Sequence, residues 1–365
     1  MTDLFHDRDV QNARRQGGTV PLGGGRVLLL PRVGGFCRGV LAALQRLETV
    51  LARAERPVWL LGEIIHNDTV NDHFRGRGVH ILPEGQLEQV FGLADPADTF
   101  AVPAFGLERE FEERLRAFAA DVVDTTCDCV QSVWSFVESQ AVAGRTILLH
   151  GKPSHPETRA TLSRALGPAN AAVLVPTLDH AQRFAAAIRS GSLADYPVEL
   201  LHQAGFLDLR HLAVANQTTM LFSETRELEA IIAAAVHETS GELIPAATVC
   251  PATQARQDAA CEVCAAGVDL VLVLGGFSSS NTAQLLRLAQ TYAPAYFVGT
   301  AEALSPDRIR HYDPASGTVA ETTDWLPPPG GRIVLLAGAS CPPGDIGDAI
   351  RALRQITGYS ATTMA

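Results

Sequence analysis

Short apolar runs of strand length alternate along this chain with stretches whose apolar residues recur at helical spacing. Residues 26–30, 57–62, 79–82, 99–103, 122–123, 146–151, 171–175, 212–215, 269–274, 295–298 and 333–337 read as strands. Residues 40–47, 108–120, 227–237, 256–266 and those from about 345 onward read as helices. Strands alternating with helices predict an α/β chain with small, mainly parallel sheets and right-handed crossovers. Residues 190–212 are less patterned and read as an insertion, with His202 and His211 on its surface. Residues 308–331, rich in Pro, Gly and Thr, read as a loop.

The chemistry gathers in the turns that follow the strands. Gly34-Gly35-Phe36-Cys37-Arg38-Gly39-Val40 joins a strand to a helix, so Cys37 lies at a strand's carboxyl end beside a helix N-terminus. Open α/β sheets bind ligands there, and a thiolate is stabilised there. One free cysteine is usually a small buried hydrophobe. The same strand–turn–helix device recurs, however, at Asp124-Thr125-Thr126-Cys127 and around Val249-Cys250-Pro251. The chain therefore reads as a flexible extension over 1–25 and three similar α/β domains, 26–126, 127–249 and 250–365, each offering one thiolate. Structural zinc sites take closely spaced C-x-x-C pairs, which these three cysteines do not form. They suit an iron–sulfur cluster, and a four-iron cluster held by three thiolates keeps one iron open to a substrate oxygen.

Other strand-end turns carry His66, His155, Thr218, Ser279, Ser280, Asn281 and Ser340. These are neutral donors. Together with backbone N–H groups they suit a phosphate or diphosphate without Lys or Arg. Glu157, two residues after His155, is the carboxylate placed to give up a proton.

Composition narrows the setting. At 365 residues, 47% apolar and 19% charged, the chain is long enough for two or three well-buried domains. A net charge of −11 argues against broad nucleic-acid or anionic-membrane binding. No apolar run approaches the ~20 residues that span a bilayer, and the polar start lacks a signal-peptide core, so the expected location is cytoplasmic. Seven cysteines in such a chain suggest a metal site, a redox site or core packing rather than a disulfide framework. Cys261 and Cys264 read as core of a helix, Cys129 as a buried helix residue with a cluster neighbour as the alternative, and Cys341 as pocket wall or core. His73, His80 and His150 read as structural or exposed, and Glu63 as a hydrogen-bonding turn residue.

Eight motifs in order carry a resemblance. They are Gly35-Phe36-Cys37-Arg38-Gly39-Val40, Glu63-Ile64-Ile65-His66-Asn67, Asp124-Thr125-Thr126-Cys127, His155-Pro156-Glu157, Gln217-Thr218-Thr219, Cys250-Pro251-Ala252-Thr253 with Arg256-Gln257, Ser279-Ser280-Asn281 and Gly338-Ala339-Ser340. Over about residues 26–355 the chain resembles the LytB family of 4-hydroxy-3-methylbut-2-enyl diphosphate reductases. The resemblance implies three α/β domains in a pseudo-threefold arrangement around a central [4Fe–4S] cluster held by Cys37, Cys127 and Cys250. It implies reductive dehydroxylation of a small anionic substrate, with ferredoxin or flavodoxin as electron donor. Glu157 would be the proton source, with Thr218 relaying or orienting at the hydroxyl. His66, His155, Ser279, Ser280, Asn281 and Ser340 would hold the diphosphate.

The chain also departs from the family pattern. Where the family has Ala-His-Gly, with a histidine on the diphosphate, this sequence reads Ala104-Phe105-Gly106. Asp128 replaces the proline after the second family cysteine, Cys129 is additional, and Lys152 stands where a histidine is usual. The cluster ligands and proton donor are kept and the head-group pocket is changed. That pattern fits an altered pocket, a paralogue for a different anionic substrate, or a non-catalytic iron–sulfur sensor. Retention of Glu157 and Thr218 favours an enzyme.

Overall fold

A computed structural model describes residues 4–246 and 249–360. Positions 247 and 248, just before the third cysteine turn, lie outside the described residues. The chain forms two compact units. An end unit comprises Met1–Leu41, Ile65–Phe74 and Pro251–Ala365, and a middle unit comprises Ala42–Ile64 and Arg75–Cys250.

The end unit is built on a seven-stranded sheet. Its order is Thr19–Pro21, Val27–Leu29, Arg332–Ala337, Leu270–Leu274, Ala295–Val298, Arg308–Asp313 and Thr318–Thr323. The four inner strands from Val27–Leu29 to Ala295–Val298 are parallel, and the flanking strands pair antiparallel. Leu270–Leu274 is buried throughout because helices cover both faces. Successive strand residues point to opposite faces. Leu270, Leu272 and Leu274 accordingly join the core beneath helix Pro343–Ile356, while Val271 and Val273 join the core beneath helices Pro251–Ala265 and Ser280–Ala289.

The middle unit holds two sheets. Val79–Leu82, Val58–Leu61, Thr99–Val102 and Asp121–Asp124 form an all-parallel four-stranded sheet. Glu242–Pro245, His211–Asn216, Thr146–His150, Ala172–Leu174 and Leu201–His202 form a five-stranded one, parallel except at its last strand. Small, mainly parallel sheets of an α/β fold are what the strand–helix alternation predicts.

Three expectations need correction. Residues 1–25 are more than an extension. Helix Arg8–Arg15, capped by Asp7, buries Val10 and Ala13 in the end-unit core, and Thr19–Pro21 adds an edge strand. The expected loop 308–331 contains the hairpin Arg308–Asp313/Thr318–Thr323, whose outer strand is almost wholly exposed and therefore polar. His202 is half-buried on a two-residue edge strand rather than at the surface, whereas His211 is exposed.

Candidate active site

In the middle unit the turns after Thr146–His150 and His211–Asn216 bring the expected proton donor and its partner together. Glu157 lies in the first turn of helix Pro156–Ala165 and is buried. Its Oε1 accepts the Thr218 backbone N–H at 2.6 Å, and its Oε2 accepts the Thr218 hydroxyl at 3.0 Å. Burial pushes the Glu157 carboxyl up to about 7, against the two Thr218 donations that pull it down. Gln217 ties these turns into one piece. Its Oε1 accepts from the Lys152 N–H at 3.1 Å and the Thr158 hydroxyl at 3.3 Å, and its Nε2 donates to Thr219 at 2.8 Å.

His155 is the N-cap of the Glu157 helix, and its Nδ1 accepts the Glu157 N–H at 3.2 Å. The neutral ring therefore carries its hydrogen on Nε2. Phe105 stands in the turn after Thr99–Val102, and its ring meets the His155 ring at 82° with centroids 5.7 Å apart. The same phenylalanine lines a cavity of about 210 Å³ shared with Gly62, Glu63, Glu84, Phe111 and Arg159. Arg159 is held by Glu84 at 3.0 Å and Glu108 at 3.1 Å, so its charge is already committed.

Two cysteine turns lie in this unit. The Cys127 N–H donates to Ala104 O at 3.0 Å, which ties the second cysteine turn to the one carrying Phe105. Cys127 is the N-cap of helix Asp128–Val142, and Thr126 Oγ1 beside it is buried with no hydrogen-bond partner among the described residues. The Cys250 N–H donates to Thr218 O at 3.0 Å. Cys129 is not simply a buried helix residue, because the Cys250 thiol donates to its sulfur at 3.4 Å. Burial first, then the Cys250 and Cys127 thiols, push the Cys129 thiol up. Its contact with Cys250 had no local signal, because the partner is 121 residues away along the chain.

The end unit gathers the remaining residues. Ser340 donates from its hydroxyl to His66 O at 3.1 Å and lies 3.4 Å from Ser279 Oγ. Ser279 caps helix Ser280–Ala289 by accepting the Thr282 N–H. Asn281 Oδ1 accepts the Ala339 N–H at 2.9 Å. Ser280 Oγ and Asn281 Nδ2 are buried without a hydrogen-bond partner among the described residues. Unpaired buried donors at a helix N-terminus suit an anion. Cys37 is anchored close by, its N–H donating to Ala339 O at 3.2 Å and its sulfur accepting the Val40 N–H at 3.4 Å.

Sequence reasoning missed Asp345, buried in the first turn of helix Pro343–Ile356. Burial pushes it up to about 6 while Asn67 and Thr69 donate to it, which fastens the turn that carries His66. An acid just inside the helix start was the available signal.

The remaining expectations sort plainly. Cys264 and Cys341 are buried in the end-unit core and Cys261 is half-buried. His150 is buried with Nδ1 2.8 Å from Val175 O, and His80 stacks on Trp59 at 4.6 Å. Among the described residues, no group of three or more His, Cys, Asp or Glu side chains is arranged to hold a metal ion. In donor type the cysteines still fit an iron–sulfur cluster: Cys37 and Cys127 each lead into a helix, where a thiolate is favoured. No helix among the described residues is long and apolar enough to cross a membrane.

Similarity to known proteins runs over most of the chain. The family model described as "LytB protein" matches residues 28–354. A 4-hydroxy-3-methylbut-2-enyl diphosphate reductase from Synechococcus sp. is 32% identical over 362 residues, covering 95% of this chain and 90% of the relative. One from Microcystis aeruginosa is 33% identical, covering 94% and 86%. The solved structure of the E-1-hydroxy-2-methyl-but-2-enyl-4-diphosphate reductase from Plasmodium falciparum aligns with a TM-score of 0.67 at 22% identity, over 89% of this chain and 86% of that one, and supports the fold. A second solved structure, described as (E)-4-hydroxy-3-methyl-but-2-enyl diphosphate reductase, aligns with a TM-score of 0.57 at 25% identity, over 90% and 99%.

Proposed function

The chain belongs to the LytB family, and on that premise we propose that it is a [4Fe–4S]-dependent reductase that removes the hydroxyl of an allylic diphosphate. Cys37, Cys127 and Cys250 are the proposed cluster ligands, and ferredoxin or flavodoxin the proposed donor class. When bound, the cluster supplies two electrons singly. With two protons these convert the substrate's carbon–oxygen bond to carbon–hydrogen and water.

The observation that carries this reading is the Glu157–Thr218 pair. Oε1 is engaged by the Thr218 backbone N–H, and Oε2 lies 3.0 Å from the Thr218 hydroxyl, so the carboxyl and that hydroxyl form one proton-exchanging pair. With a value near 7 about half of these groups hold a proton at neutral pH and can yield it to a leaving hydroxyl. A sensor has no use for a protonated buried acid there. Ser280 Oγ and Asn281 Nδ2 supply neutral donors for the diphosphate, and His155 Nε2–H another.

Phe105 favours a second reading, a substrate whose head group differs. An aromatic ring against His155 replaces an anion donor with apolar surface. A hydrogen bond to a charged group is worth about 1.5–3 kcal/mol, so its absence weakens diphosphate binding by about ten- to a hundred-fold.

The test is turnover of (E)-4-hydroxy-3-methylbut-2-enyl diphosphate by anaerobic holoprotein. The wild type is expected to reduce it, and Phe105→His to lower KM by about ten-fold or more. Absence of turnover in both proteins with the cluster intact overturns the substrate. Turnover that Phe105→His leaves unimproved removes the altered pocket.

A further inference from the structure

The Cys129–Cys250 contact is not absorbed by the reaction. Cys129 is not among the three proposed cluster ligands, yet its sulfur lies 3.4 Å from that of Cys250, which is. A disulfide needs about 2.05 Å between sulfurs, a closure of just over 1 Å between two half-buried free cysteines. We propose that Cys129 and Cys250 form a reversible disulfide in the cluster-free protein, a modification site that guards a cluster ligand against irreversible oxidation. The protective purpose rests on the ligand assignment of Cys250. The bond itself rests only on the two sulfurs.

Hydrogen peroxide is the oxidant class. One sulfur attacks a peroxide oxygen, the O–O bond breaks, and a sulfenic acid and water form. The second sulfur then attacks the sulfenic sulfur, the S–O bond breaks, and a second water leaves. Two thiols and one peroxide thus give one disulfide and two waters. A dithiol reverses the bond by exchange. Without Cys129 the sulfenic acid on Cys250 loses that resolving thiol and proceeds to sulfinic acid, which dithiols do not reduce.

The experiment treats full-length cluster-free protein with one equivalent of hydrogen peroxide and maps cysteine peptides without reduction. A Cys129–Cys250 linked peptide should be the main product. Dithiothreitol followed by iron and sulfide should then restore cluster absorbance to the untreated level. Cys129→Ser should take up a cluster normally before peroxide, yet afterwards show sulfinic Cys250 and several-fold less recovery. Cys250 linked mainly to another cysteine, or equally over-oxidised in wild type and Cys129→Ser, overturns the proposal. Failure of untreated wild type to take up a cluster counts against the ligand assignment and leaves the mapped bond as an independent result.

Discussion

Burial lifts the Glu157 carboxyl well above the usual carboxylate range, as its proposed proton-donor role requires. Desolvation raises it to about 7 although both oxygens accept hydrogen bonds from Thr218. On the proposed function the protonated form is the active one. Turnover governed by this group should therefore be level below neutrality and fall about ten-fold per unit above pH ~7. Glu157→Gln keeps the shape and removes the proton, so turnover should drop by about 10²–10⁴ while cluster absorbance stays. Loss of absorbance along with turnover would make the residue structural. Glu157 was legible because His-Pro-Glu at a strand end is a local signal. Cys129 was not, because its partner is 121 residues away and only the folded chain makes them neighbours.

At the level of elements, strands covered on both faces announced themselves as apolar runs, and the exposed hairpin Arg308–Asp313/Thr318–Thr323 did not, since its outer strand has no face to bury. The turn after Thr99–Val102 depends on Gly106, which has φ +78°. A Cβ there would lie 2.2 Å from Trp134 Cη2. Trp134 cannot yield easily: its Nε1 donates to Thr161 at 3.2 Å, and the Arg164 guanidinium stacks 4.3 Å above its ring. Gly106→Ala thus combines left-handed backbone strain of about 1–2 kcal/mol with overpacking of about 1–3 kcal/mol. The denaturant midpoint should fall by the equivalent of about 2–5 kcal/mol at unchanged slope. A midpoint within error of wild type would show that the turn relaxes at no cost. Because Phe105 and the Ala104–Cys127 hydrogen bond belong to this turn, cluster content should fall with it.

On the scale of the whole molecule, the end unit draws its sheet from both ends of the chain, a pairing that no local pattern announces. Val27–Leu29 pairs with Arg332–Ala337, and the Gly23 N–H donates to the Thr357 hydroxyl at 2.9 Å. Asp7 and Asp9 pair with Arg351, and Asp9 also with Arg354, fastening helix Arg8–Arg15 to helix Pro343–Ile356. The polar composition of residues 1–25 concealed this, because an eight-residue helix needs only one narrow apolar stripe, here Val10 and Ala13. Burial of Val10, Val20 and Leu22 contributes about 1.5–3 kcal/mol each, offset in large part by the entropy of ordering the segment, whereas the exposed ion pairs add little. A net of about 3 kcal/mol corresponds to about 6–12 °C. A chain lacking residues 1–25 should therefore melt about that much lower, by circular dichroism, than the full chain. The loss should persist at high salt, because it comes from apolar burial rather than from the ion pairs. An unchanged melting temperature would return this segment to the role of a dispensable extension, and a loss that vanished in high salt would assign its stability to Asp7 and Asp9 instead.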